Sequence, residues 1–237
     1  MLSLAAYAFV SLGRWQLRRA DEHRQIRLSF TRSTDLPELS TLPSARDVQQ
    51  VRYRRIRLNG RYVVGRNVLM DNMTYDDQAG YEVLTPFVPS DGSAWLMVNR
   101  GWVPANPDRR VLPQVGFGST APQMVVGRVA PFPAPAIRLG DSAATEAAPG
   151  LLRASYPTAE GLGRALGHAV YPYQLLLDAK QPLGFTRDWR PNVMSPQRNL
   201  AYAGQWFLFA LIALVAAAAI VIKRARSAGK AGEADAR

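Results

Sequence analysis

Apolar residues run without a break from Phe207 to Ile222, and Lys223, Arg224 and Arg226 close the run at once. Extending the run back to Leu200 adds one strongly polar side chain, Gln205, and gives 23 residues. That length crosses about 30 Å of hydrocarbon with some tilt. Sixteen successive apolar residues leave no polar face for water, so the pattern predicts a membrane helix rather than a core helix. Tyr202 and Trp206 stand at its entry, where amphipathic rings prefer the interface. A second apolar stretch, Met1 to Leu12, opens the chain. It is short for a span and carries Ser3 and Ser11. It has neither the positive start nor the small-residue cleavage site of a signal peptide. We read it as a short or truncated span, with a start placed too far downstream as one cause.

Between the two lies a different pattern. Residues 20–50 are polar and include Pro37 and Pro43, which predicts a helical extension followed by a linker. From Arg55 to Asn59 polar and apolar residues alternate, the period of a half-buried strand. Gly60 bends or ends it, Arg61 to Val64 continues it, and Gly65-Arg66-Asn67 turns the chain into Val68-Leu69-Met70. Asp71 to Gly80 reads as a polar loop, with Asp76 and Asp77 solvated. Tyr81 to Thr85 reads as a strand ended by Pro86, paired as a hairpin with Ala94 to Asn99 across Ser90-Asp91-Gly92-Ser93. Further strands are expected at Met124 to Val129 and Tyr171 to Leu177. Gly140 to Gly150 reads as a mobile loop, Thr158 to Leu166 as a short helix capped by Thr158, and Pro182 to Pro196 as a loop.

The expected fold class is therefore an α+β membrane protein. Two transmembrane helices, the first short or truncated, flank an antiparallel β-rich soluble domain. The expected divisions are an N-terminal membrane segment over 1–19, an extension and linker over 20–50, the β-rich domain over 51–198, a membrane helix over 199–222, and a basic tail over 223–237.

Charge adds a partner class. The net charge is +11, with arginine far outnumbering lysine. The arginines are scattered among apolar residues, which favours lipid headgroups and an acidic partner over nucleic acid. Both the tail and the flank after Gly13 are basic, so the positive-inside rule alone leaves orientation open. The chain has no cysteine, which excludes disulfides, thiol nucleophiles and cysteine metal sites. His23 and His168 are its two histidines, and neither has a partner at metal-ligand spacing. The glycines from Gly161 to Gly167 have the wrong spacing for a phosphate loop and read as a helix with glycines. No acid, base and nucleophile cluster stands out, and the chain is read as a non-enzyme.

Three segments then stand out in order. The first is Leu12-Gly13-Arg14-Trp15-Gln16-Leu17-Arg18-Arg19. The second is Val98-Asn99-Arg100-Gly101-Trp102-Val103-Pro104, preceded by Arg54-Arg55, Gly60, Gly80-Tyr81 and Pro86. The third is Asn199 to Phe207, opening the second membrane helix. In order, spacing and topology the chain resembles the surfeit-locus-one family of cytochrome c oxidase assembly factors. The resemblance implies a multi-pass protein with its soluble domain periplasmic and its tail cytoplasmic. It implies a chaperone role in delivering heme a, bound transiently, to the oxidase catalytic subunit, with heme a synthase a further partner. The short N-terminus, compact tail and lack of an evident presequence point to a bacterial inner membrane. The alternative is an accessory subunit or envelope adaptor of a respiratory complex that binds no cofactor.

The site residues carried over by the resemblance are Trp15, Gln16, Arg100, Trp102, Tyr202, Gln205 and Trp206. The family's histidine just before Leu-x-Tyr, a proposed heme ligand, is Asn199 here. A neutral amide is a poor iron ligand, so the ligand itself does not transfer. Simpler roles stand beside these. Tyr202 and Trp206 would anchor the helix at the interface; Trp15 and Trp102 would pack. Arg100 would pair a heme propionate, or hold Asp71 or another loop acid. Gln16 and Gln205 are expected to hydrogen-bond between the two helices, setting Trp15 and Trp206 on one side as an aromatic pocket.

Overall fold

A computed structural model describes the chain except residues 1, 34–35, 49, 93, 117–118, 134–143, 190–194 and 236–237. Its elements are α1 (Leu2–Arg32), β1 (Arg55–Tyr62), β2 (Asn67–Tyr75), β3 (Gln78–Pro89), β4 (Trp95–Pro104), β5 (Gln123–Pro131), β6 (Thr145–Ala148), β7 (Leu151–Ala154), α2 (Ala159–Leu166), β8 (Val170–Leu177) and α3 (Pro196–Asp235). They form two compact units, 29–190 and the pair of segments 1–28 and 191–237.

The first unit is built on one eight-stranded sheet, in the order β1-β5-β8-β4-β3-β2-β7-β6, with β1 also paired to β3. That extra pairing closes β1, β5, β8, β4 and β3 into a barrel, and β2, β7 and β6 extend from it. Closure removes the edges that an open sheet leaves unpaired. Alternate residues point inward, as the two-residue strand period requires. Ile56, Leu58, Phe87, Leu96, Val98, Val125, Val129, Tyr173, Leu175 and Leu177 form the buried interior. Leu39 bonds on both sides of β1 residue 56, to Arg55 and Arg57, and with Leu42 packs against that core. The Tyr173 hydroxyl donates to the Pro43 carbonyl at 2.7 Å. Leu162 and Leu166 of α2 cover Val68, Leu84 and Met97 on the outer face. Thr158 caps α2 by accepting from the Gly161 N–H at 3.0 Å, as its side-chain chemistry predicts.

Four expectations change. The sheet is mixed, since β4–β8 and β2–β7 are parallel. Asp71 to Gly80 is no loop: β2 and β3 continue through it to a two-residue turn, with Asp76 and Asp77 at φ 48° and 58°. Asp tolerates that left-handed backbone, which the favoured hairpin turns require. Pro86 lies inside β3 rather than ending it. Its carbonyl accepts from Val63 N–H, and its missing donor falls on that same side, in the break where pairing passes from β2 to β1. Thr145 to Ala148 forms a strand; the start of that expected mobile loop, 140–143, lies outside the described residues.

The second unit is a pair of helical segments. Along α1 the buried residues are Ala6, Gly13 and Ala20, each seven apart. Along α3 they are Asn199, Ala203, Ala210 and Ala213. Small residues at this spacing let two helix backbones approach closely. At Gly13 a β-carbon would stand 2.6 Å from the Phe207 ring, so the first and third sequence motifs meet there. By length and composition, Pro196–Lys223 is the one described helical segment fit to cross a membrane. The expected first span does not meet that standard, because Arg14, Arg18 and Arg19 interrupt α1.

Candidate functional site

Within the helical unit, the contact between α1 and α3 is polar at one place. The Asn199 side-chain nitrogen Nδ2 lies 2.9 Å from Nδ1 of His23. Asn199 is 4% exposed and His23 is half-buried. A buried amide needs such a partner, because leaving it unpaired costs roughly 1–3 kcal/mol. His23 makes no other hydrogen bond among the described residues, so its Nε2 is unengaged. No group of three or more His, Cys, Asp or Glu residues is placed to hold a metal ion among the described residues. A heme needs only an axial donor, because its ring supplies the other four.

Phe9, Gln16 and His23 are seven apart and share a stripe of α1 three residues round from the small-residue seam. The Phe9 ring stacks on Trp206 with centroids 5.8 Å apart and touches Phe209 at the same distance. Tyr202 lies seven residues before Phe209 and four before Trp206 on α3. One flank of the helix pair therefore presents His23, Gln16 and Phe9 beside Tyr202, Trp206 and Phe209. The expected hydrogen bond between Gln16 and Gln205 is not formed among the described residues, and Gln205 is exposed. Trp15 is 47% exposed and makes no ring contact among them. Six residues from Phe9, it points round the helix away from that stripe. The aromatic partners of Trp206 are Phe9 and Phe209 instead, a stripe that the motif residues alone did not reveal.

In the barrel unit, Arg100 is 3% exposed and serves the backbone. It donates to the carbonyls of Leu183 at 2.6 Å and Val115 at 2.9 Å, and to the Thr85 hydroxyl at 3.3 Å. Its guanidinium lies 4.8 Å from the Phe185 ring centre. Burial pulls its pKa down to about 10, which leaves it charged at neutral pH. Asp71 is held by Arg109, not by Arg100. Arg187 acts similarly, donating to the carbonyls of Asp178, Gln181 and Ala179. Two arginines thus shape the chain after β8 around backbone oxygens. Trp102 bonds to Thr186 through both backbone groups, at 2.8 and 3.2 Å. Its ring lies 5.4 Å from Tyr75 and closes over Gly80, where a β-carbon would fall 2.4 Å from the indole. The Trp102 Nε1 is buried with no hydrogen-bond partner among the described residues. His168 stacks on Trp95 with centroids 3.9 Å apart.

A polar ladder crosses the barrel wall. Asn99 donates to Glu82 at 2.6 Å and to Gln174 at 3.0 Å, and Gln174 donates to the Pro131 carbonyl at 3.2 Å. Burial pushes the Glu82 carboxyl above its usual pKa, and the Asn99 hydrogen bond only partly opposes this. A raised folded value means the stabilising contribution is full below the ordinary carboxylate pKa and is lost as pH rises through the folded one. Glu82→Gln, which mimics the protonated acid, is therefore expected to unfold at higher urea than the parent at neutral pH. The gap should close by about pH 4, where carboxylates protonate. Urea titrations at both pH values check this; a gap that widens in acid would contradict it.

Comparison with known proteins agrees with the order of motifs. The SURF1 family model matches residues 3–211. A SURF1-like protein of Dictyostelium discoideum is 33% identical over 105 residues, 40% of this chain and 38% of that one. Surfeit locus protein 1 of Xenopus tropicalis is 30% identical over 135 residues, 48% of this chain and 43% of that one. A SURF1-like protein of Monosiga brevicollis is 28% identical over 130 residues, 48% and 49%. The chain thus spans less than half the length of each of these relatives.

Proposed function

Because this chain belongs to the SURF1 family, we propose that it is a membrane-anchored assembly factor for cytochrome c oxidase that assists delivery of heme a to the catalytic subunit. The observation that carries the heme reading is the contact between the helices, where the His23 imidazole meets Asn199 and, further along the same stripe of α1, Phe9 stacks on Trp206. Aromatic faces and a nitrogen donor are what a porphyrin requires of its site. The α3 span supports membrane anchorage. We place it in a bacterial inner membrane, with the soluble domain periplasmic and the tail cytoplasmic.

A strain lacking the protein should build less oxidase, seen as a weaker heme a absorbance band in membranes, and the gene supplied in trans should restore it. The protein should be absent from the purified mature oxidase. Stoichiometric co-purification would instead support an accessory subunit that binds no cofactor, and an unchanged heme a band would overturn the assembly role.

A further inference from the structure

We propose that His23 is the axial ligand for heme in this chain, with Asn199 as the residue that positions it. The inference rests on the heme-handling reading above and deepens it. An imidazole can ligate iron through Nε2 when Nδ1 carries the proton and donates it to an oxygen. The Asn199 amide nitrogen, Nδ2, is the end placed 2.9 Å from Nδ1. Its oxygen and nitrogen ends are alike in size, so either end fits toward the ring. With the oxygen turned inward, Nδ1–H donates to it and Nε2 carries the free lone pair. The pair is interhelical: His23 comes from α1 and Asn199 from the first turn of α3.

The position suits the ligand. His23 lies two turns along its stripe from Gln16, and Phe9 of the same stripe stacks on Trp206. Asn199 and Trp206 are seven residues apart on α3, about 10 Å along the axis at 1.5 Å per residue. That is close to the breadth of a porphyrin ring. The amide at position 199 therefore does not remove a ligand from this site. It holds one supplied by the other helix.

The full chain purified in detergent from cells making heme a tests this by visible spectrum and heme content. Wild type should carry heme with the spectrum of imidazole-ligated iron. His23→Ala should lose it, and free imidazole should restore the spectrum to His23→Gly. Asn199→Leu should weaken binding roughly 10- to 100-fold, the usual effect of removing a ligand's hydrogen-bond partner. His23→Ala combined with Asn199→His should bind again. Circular dichroism equal to wild type excludes misfolding as the cause of a loss, and the imidazole rescue does so independently. Heme retained by His23→Ala with an unchanged spectrum overturns the ligand and leaves the heme-handling reading intact. A wild type that carries no heme, yet restores oxidase to the deletion strain, overturns the ligand and the heme role but not the assembly role.

Discussion

Arg100→Ala is expected to destabilise the barrel unit by about 3 kcal/mol or more, since each buried acceptor left unpaired costs roughly 1–3 kcal/mol. Three acceptors depend on this side chain: the Leu183 and Val115 carbonyls and the Thr85 hydroxyl. They belong to three separate parts of the chain, so one truncation loosens all of them together. Water cannot readily take its place at a site only 3% exposed. Arg100→Lys should recover little. It keeps the charge, but a single ammonium cannot reproduce the fixed fork of guanidinium donors. Denaturant unfolding of the full chain, followed by tryptophan fluorescence, measures this. A change below about 1 kcal/mol, the net worth of one ordinary hydrogen bond, would mean that Arg100 does not organise the segment from Leu183 to Arg187.

Gly101→Ala should be comparably damaging for a different reason. Gly101 has φ 112°, beyond the left-handed region that even Asn and Asp visit. Strain of this kind costs roughly 1–3 kcal/mol. A β-carbon would also stand 2.6 Å from the Thr186 carbonyl oxygen and 2.7 Å from Arg187 Cγ. Overpacking adds about another 1–3 kcal/mol. The neighbouring backbone is fixed by the Trp102–Thr186 bridge, so the clash has little room to relax. We expect poor accumulation and a lowered unfolding midpoint. Gly92→Ala is the control: its φ is 74°, but nothing among the described residues lies within 4 Å of the added carbon. Equal losses in the two variants would show that backbone strain alone, and not the close approach of Thr186, sets the requirement at Gly101.

These two residues explain why the second motif was legible while its purpose was not. Val98 to Pro104 stands out as a motif, and the positive φ of Gly101 shows a backbone requirement within it. The resemblance carries Arg100 and Trp102 toward a cofactor, with pairing to a loop acid and packing as their simpler roles. In the structure Arg100 is committed in part to the Leu183 carbonyl, more than 80 residues later, and Trp102 forms a bridge to Thr186. No periodicity reports a contact at that separation. The third motif shows the reverse case. Asn199 read as a loss, because the residue beside it lies 176 positions away on the other helix.

The sequence by itself determined the elements whose causes are local. The α3 span follows from sixteen apolar residues in succession, α2 from its Thr158 cap, and β1 from two-residue alternation. The family also followed from sequence, because its three motifs lie in linear order. Tertiary structure alone decided the rest. Barrel closure depends on β1 pairing with both β5 and β3, and the parallel partners β4 and β8 are separated by the intervening β5, β6, β7 and α2. Alternation states which residues face inward but not which strand lies alongside. Likewise the spacing of Ala6, Gly13 and Ala20 defines a stripe, but only packing against α3 brings His23 to Asn199. Local geometry is set by neighbours in the chain. Pairing is set by which distant surfaces bury the most apolar area while satisfying their polar groups.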